Sequence, residues 1–201
     1  MRSRKFTIAG VEAIGIRVSF TGDLGWEIYV AEVDQEKLWE ALFDMGKDLG
    51  VMPVGGRSLG CLRVEKGYGS WSREYSPEYW PQEVGFERLI KTDKPEFLGK
   101  AGYMAIMDQP PREKLVCLTI EADNADSSGG EPIFLADGTP VGRVSSGAYG
   151  FSVDQSCALA FIKTAHAIAG NEVEVAVLGR PKKAIILERP AFDPDGLRLR
   201  A

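Results

Sequence analysis

Two adjacent prolines, Pro110-Pro111, divide the chain into halves with different sequence grammar. A proline pair fixes φ, removes two amide donors and biases the preceding residue away from helix, so it sets an extended connector. Beyond it, Lys114 to Ala122, Pro132 to Leu135, Pro140 to Ser146, Ser156 to Lys163, Glu172 to Leu178 and Lys182 to Leu187 read as six short strands. Turn signals separate them at Gly129-Gly130, Asp137-Gly138, Gly147 with Gly150, and Gly170-Asn171. Short strands at near-even spacing point to a small antiparallel β-barrel over residues 111–201, after a separate domain over residues 1–110.

The first half mixes element types. Lys5 to Ile8 and Val11 to Ser19 read as strands joined by Ala9-Gly10. Thr21-Gly22-Asp23-Leu24-Gly25 is turn chemistry with two glycines open to positive φ, and Trp26 to Val30 resumes as a strand. Asp34 is placed to cap a helix whose Leu38, Trp39, Leu42, Phe43 and Leu49 form one stripe, ended by Gly46, Gly50 and Pro53. A second helix is predicted from about Arg57 to Lys66, and a short one within Pro95 to Met107. Tyr68 to Trp80, rich in aromatic and turn residues and without a clean period, is expected as an ordered but irregular excursion. Strand, strand, helix in this order gives an α+β class.

Composition narrows the functions. With 201 residues, 44% hydrophobic and 26% charged, the chain has enough apolar surface for a core and no unbroken apolar run of membrane-spanning length. The net charge is −5 and neither half is basic, which argues against nucleic acid. Three cysteines, Cys61, Cys117 and Cys157, form no CxxC, as expected in a reducing compartment; the basic opening lacks the apolar stretch of a signal peptide, and the cytoplasm is the expected location. A single histidine, His166, leaves little room for a zinc site or a triad and is read as a surface or turn residue. No metal site is expected. Gly67-Tyr68-Gly69-Ser70-Trp71-Ser72 ends in serine where a dinucleotide loop needs glycine, and no glycine precedes Gly99-Lys100 at phosphate-loop spacing.

The segment TGDLGWEIYV at Thr21 to Val30 carries the most chemistry. Strand alternation puts Trp26, Ile28 and Val30 on one face and Glu27 with Tyr29 on the other. Two readings of Glu27 stand. On a half-buried sheet it faces water; in a pocket it accepts two parallel N–H bonds from the amino-ketone edge of a heterocycle, a fork that also suits guanidinium.

TGDLGWEIYV resembles the G-[ED]-x-G-[WYF]-E-[IL] signature of the aminomethyltransferase family, the folate-binding T-protein of glycine cleavage and its relatives. LRVEKGYGSW at Leu62 to Trp71, FLGKAG at Phe97 to Gly102, GEPIFLADGTPVGRVSSGAYG at Gly130 to Gly150 and RPAFDPDGLRLR at Arg189 to Arg200 agree with it in order and spacing. The helix end, the FLGK segment and the tail are most similar to the folate domains fused to dimethylglycine and sarcosine dehydrogenases. The resemblance implies a partial ferredoxin-like, folate-binding α+β domain followed by a small antiparallel barrel, that is, the carboxy-terminal portion of a longer protein.

It also implies roles. The second acidic residue of the signature, the family's pterin-recognising glutamate, falls on Glu27. A tyrosine two positions on, beside the substrate in the demethylating branch, falls on Tyr29. The family's folate-contacting arginine, four residues before the LRLE arginine, has no match, because Leu59 stands there. Arg57, two residues earlier, either reaches the folate tail from the same helix or only caps the loop. Arg63 and Glu65 are read as surface and helix-end charges. Trp71, Tyr75, Tyr79 and Trp80 either wall a pocket or serve packing. The family's catalytic aspartate matches no residue of this chain, so no catalytic residue is assigned. The resemblance thus implies a tetrahydrofolate-dependent one-carbon transferase, acting on a small amine or sulfonium substrate, with its amino-terminal catalytic part missing or on another chain. The other reading is a non-catalytic module that binds folate or docks a partner.

Overall fold

The computed structural model describes residues 3–200. Contacts divide the chain into two units, residues 1–60 with 195–201, and residues 61–194.

The first unit is built on a three-stranded antiparallel sheet of order β1-β2-β3, with β1 at Ser3–Ile8, β2 at Val11–Ile16 and β3 at Glu27–Tyr29. Ile14 pairs with Tyr29 and Ile16 with Glu27, so period-two alternation sets one face of β2 and β3. Val11 and Ala13, on the opposite face, are buried. That face is turned to α1, Gln35–Gly46: Leu38 of α1 is buried, Lys37 Nζ donates to the Gly10 carbonyl at 3.3 Å, and Ile28 shares a crevice with Leu38, Trp39 and Leu42. The expected Asp34 cap is not made. Asp34 has helix-like backbone angles, φ −102° and ψ −3°, and its side chain makes no capping hydrogen bond. An N-cap normally needs an extended backbone to aim its oxygen at the first amides, and here a 3-10 turn, Glu32–Asp34, runs straight into the helix.

The turn before β3 follows its glycines. Gly22 has φ +87° and its amide donates to Ser19 Oγ at 2.8 Å. A Cβ on Gly25 would lie 2.8 Å from the Val18 carbonyl oxygen, closer than side chains approach. The tail returns to this turn: Arg198 Nε donates to Asp23 Oδ1 at 2.5 Å and Arg17 Nη2 to the Leu199 carbonyl at 3.1 Å.

Helix α2, Gly56–Glu65, carries the chain into the second unit, and α3, Lys100–Ile106, is the short helix after FLG. The barrel strands are β4 Glu113–Ile120, β5 Pro132–Phe134, β6 Pro140–Gly150, β7 Gln155–Lys163, β8 Glu172–Val177 and β9 Arg180–Leu187. They close in the order β4-β7-β6-β5-β8-β9, every neighbouring pair antiparallel, with β4 hydrogen-bonded to both β7 and β9. The α+β class and the antiparallel barrel are as the sequence predicts. Leu118, Ile133, Val144, Ala160, Val175 and Ile186 fill the interior. On β7 the outward residues Cys157, Leu159 and Phe161 are buried too, and the Tyr79 ring stacks on Phe161 at 3.9 Å. The irregular segment after α2 therefore covers the outside of this strand, which explains its unbroken apolar sequence.

Among the described residues no helix is long and apolar enough to cross a membrane. Cys117 and Cys157 carry no disulfide, and burial pushes their thiols up to about 12 and about 11, so both stay protonated and unreactive near neutral pH. His166 ends a 3-10 turn just after β7, as expected.

Candidate functional site on the open sheet face

Glu27 and Tyr29 share the sheet face opposite α1, and the alternation that placed them together holds. Tyr29 Oη donates to Glu27 Oε2 at 2.5 Å. This hydrogen bond, and the carboxylate charge behind it, hold the Tyr29 hydroxyl above its ordinary pKa, so it remains a donor through the physiological range. One carboxylate oxygen is thus oriented by its neighbour while the other has no protein donor among the described residues. Register places Ile14 and Ile16 of β2 alongside, an apolar floor next to a fixed acceptor.

The face is open. Glu27 and Tyr29 are both exposed, Tyr29 at 52%, and the cavity beside Tyr29, lined by Lys5, Glu12 and Ile14 among others, measures about 340 Å³ and does not include Glu27. Glu27 is therefore not an enclosed carboxylate in this chain; of the two readings, the water-facing position is the one observed. A larger cavity of about 650 Å³ belongs to the second unit and is lined by none of these residues.

Arg57, near the start of α2, is exposed and makes no ion pair or hydrogen bond with Glu27 or Tyr29 among the described residues. Of the three expected binding residues the structure joins the first two by a hydrogen bond. Among the described residues no group of His, Cys, Asp and Glu is arranged to hold a metal.

Arg63 and Glu65 overturn their assignment as surface charges: they are 6% and 1% exposed. Arg63 Nη1 pairs with Glu74 Oε2 at 3.1 Å and Nη2 donates to Ser146 Oγ at 2.7 Å. Glu74 also accepts from the Ser70 amide at 2.8 Å and from Ser145 and Ser146 at 2.7 and 2.6 Å. Glu65 receives the Ser152 amide and hydroxyl. Tyr75 and Tyr79 serve packing, the Tyr75 and Phe86 rings lying 4.5 Å apart and Tyr79 covering Phe161, whereas Trp71 is 79% exposed. Sequence reading missed this polar network because its partners lie 11 and 83 residues away from Arg63, in a segment without periodicity and in a barrel strand.

Comparison with known proteins assigns the fold. The sequence model of the GCVT N-terminal domain matches residues 1–94, and that of the glycine cleavage T-protein C-terminal barrel domain matches residues 113–193. The chain belongs to the glycine cleavage T-protein family. Within that family it is similar to mitochondrial dimethylglycine dehydrogenase of Mus musculus, 33% identical over 100% of this chain and 23% of that protein. It is also similar to the aminomethyltransferase of Symbiobacterium thermophilum, 33% identical over 94% of this chain and 51% of that protein. The crystal structure of glycine cleavage system aminomethyltransferase T from Bartonella henselae superposes with a TM-score of 0.82 at 23% identity, over 90% of this chain and 50% of that one, which shows the shared fold. The chain spans about half the length of the aminomethyltransferases it matches and about a quarter of the dehydrogenase.

Proposed function

We propose that this T-protein family chain contributes the pterin-reading face of a tetrahydrofolate-dependent one-carbon transferase. The observation that carries the reading is the Tyr29-oriented carboxylate of Glu27 on the sheet face that the family signature marks. A pterin presents an amino group and a ring N–H side by side, and a carboxylate matches both with parallel charge-assisted bonds. Those oxygens fit that edge, and Ile14 beside them offers apolar contact to a ring face. The folate, when bound, supplies the nucleophilic nitrogen that takes up the one-carbon unit. What Glu27 does in this reading is fix the ring's orientation, and Tyr29 keeps the carboxylate in one rotamer. Arg57 is proposed only as a contact to the folate tail.

The exposure of the face favours a companion reading. Positioning catalysis needs water excluded from the reacting atoms, and an open sheet cannot exclude it. In this reading the chain binds folate or a complementary polypeptide, and turnover on a small amine or sulfonium donor requires further protein that covers Glu27.

Calorimetric titration of the full chain with tetrahydrofolate tests the proposal. Saturable binding is expected, with Glu27→Gln weakening it about ten- to a hundredfold, the range for losing a charge-assisted hydrogen bond. Tyr29→Phe is expected to weaken it less. Equal affinity of the wild type and Glu27→Gln, or no heat from either, would overturn the assignment.

A further inference from the structure

In the first unit, α1 covers only part of the sheet face it packs on. Register puts Arg4, Phe6, Gly15 and Ile28 on the same face as the buried Val11 and Ala13, and alternation adds Trp26. Phe6 and Trp26 nevertheless stand 36% and 59% exposed. The apolar stripe of α1 is likewise wider than what it buries: of Leu38, Trp39, Leu42 and Phe43 only Leu38 is buried, and Trp39, its ring 4.3 Å from that of Phe43, is 56% exposed. Two crevices of about 480 and about 390 Å³ meet at Ile28, one lined by Phe6 and Trp26 and the other by Trp39 and Leu42. They form an apolar groove shared by the sheet and the flank of α1.

The geometry selects what fits. Three strands at a spacing of about 4.8 Å make a sheet about 14 Å wide, whereas one helix covers a strip of about 10 Å. A second helix beside α1, about 8–10 Å from it between axes, would reach Trp39 and Phe43 as well as the uncovered strands. A sheet face and a helix flank offer no free backbone donors or acceptors, so the occupant has to satisfy its own backbone, as a helix does and a lone strand does not. Arg4 lines the groove and has no ion pair among the described residues, and no acidic side chain lines either crevice. The occupant therefore combines an apolar stripe with a carboxylate. As to its source, this chain spans 51% of the Symbiobacterium thermophilum aminomethyltransferase, so that relative carries about as much polypeptide again besides the part matched here.

We propose that the groove seats an amphipathic helix of a separate polypeptide equivalent to the half of the aminomethyltransferases that this chain does not span. The apolar stripe of that helix lies against Trp26, Ile28 and Trp39, and a carboxylate on it meets Arg4. Glu27 and Tyr29 are on the opposite face of the sheet, so the proposal does not rest on the folate reading.

The probe is the half of the Symbiobacterium thermophilum aminomethyltransferase that this chain does not match, co-expressed with the full chain as a separate polypeptide. A one-to-one complex is expected by sedimentation, dissociating on dilution, with amide exchange slowed from Leu38 to Phe43. Trp26→Glu and Trp39→Glu change side chains that are more than half exposed, so each is expected to leave the melting temperature of the chain alone unchanged while weakening the complex at least about tenfold, as central aromatic anchors do. Arg4→Glu is expected to weaken it less, and Glu12→Lys, on the opposite face of β2, to leave it unchanged. Three results would each overturn the proposal: no complex, self-association of this chain in its place, or a complex that Trp26→Glu and Trp39→Glu weaken no more than Glu12→Lys does.

Discussion

Glu74 is a fully buried carboxylate that ties together α2, the segment after it and β6 of the barrel. Burial alone pushes its pKa up, but hydrogen bonds from Ser146, the Ser70 amide and Ser145, with the Arg63 charge, outweigh burial and hold it below the ordinary carboxylate value. Burial likewise raises Glu83, and the fork from Arg112 with the Trp80 and Arg112 amides brings it below its usual value. A carboxylate whose folded pKa is depressed stabilises the fold above its unfolded pKa and loses that contribution as pH falls through the folded one. Stability is therefore expected to be level from neutrality down to about pH 4.3, the unfolded glutamate value, and to drop below it. Glu74→Ala should cost about 3–5 kcal/mol at neutral pH, because it leaves Arg63 charged, buried and unpaired, and should flatten the acid limb. Urea denaturation of both proteins between neutral pH and pH 3 measures this; an acid limb as steep in the variant as in the wild type would refute the role given to Glu74.

At the scale of elements, what could be read ahead was whatever had a period. The six barrel strands, the two long helices and the pairing of Glu27 with Tyr29 on one face all rest on alternation or helical stripes within a few residues of each other. What could not be read was set by distant partners. The register of β6 against β7 shifts between Val144 and Ser146, leaving Ser145 as an extra residue. This bulge turns Ser145 and Ser146, neighbours that should face opposite ways, both toward Glu74. Nothing local in GRVSSGAYG announces it, since the bulge exists to satisfy a carboxylate 71 residues earlier. The open position of Glu27 was equally hidden, because alternation fixes which face a side chain takes and not what covers that face. Deleting Ser145 is expected to keep both registers, because Val144 already pairs with Ala160 and Ser146 with Leu159, but to straighten β6 and so to cost more than Ser145→Ala, which keeps the bulge and removes one hydrogen bond, worth about 1 kcal/mol. Comparing thermal unfolding of the two variants decides it, and similar melting temperatures would mean that the bend at the bulge adds no stability beyond the Ser145 hydrogen bond.

The molecule as a whole pairs a closed element with an open one. A barrel whose first strand is bonded to both neighbours has no free edge, and its interior is sealed by buried aliphatic residues on every strand. Among the described residues the three-stranded sheet has two free edges and one uncovered face, and Trp26, Trp39, Leu49 and Met52 of the same unit stand 56% to 87% exposed. Local opening costs little where few apolar contacts are broken and approaches the global unfolding energy where many are. Amide hydrogen exchange should therefore split sharply: the β7 amides from Ala158 to Ile162, paired on both sides, are expected to exchange at least about a thousandfold more slowly than those of β1, which pairs only with β2. If further polypeptide covers the face of Glu27 and Tyr29, its addition should slow exchange in β1 and β3 and leave β7 unchanged, because every barrel strand is paired on both sides. Uniform exchange across both units would show that the sheet draws its stability from the same cooperative core as the barrel, and the open face would then not be a separable binding element.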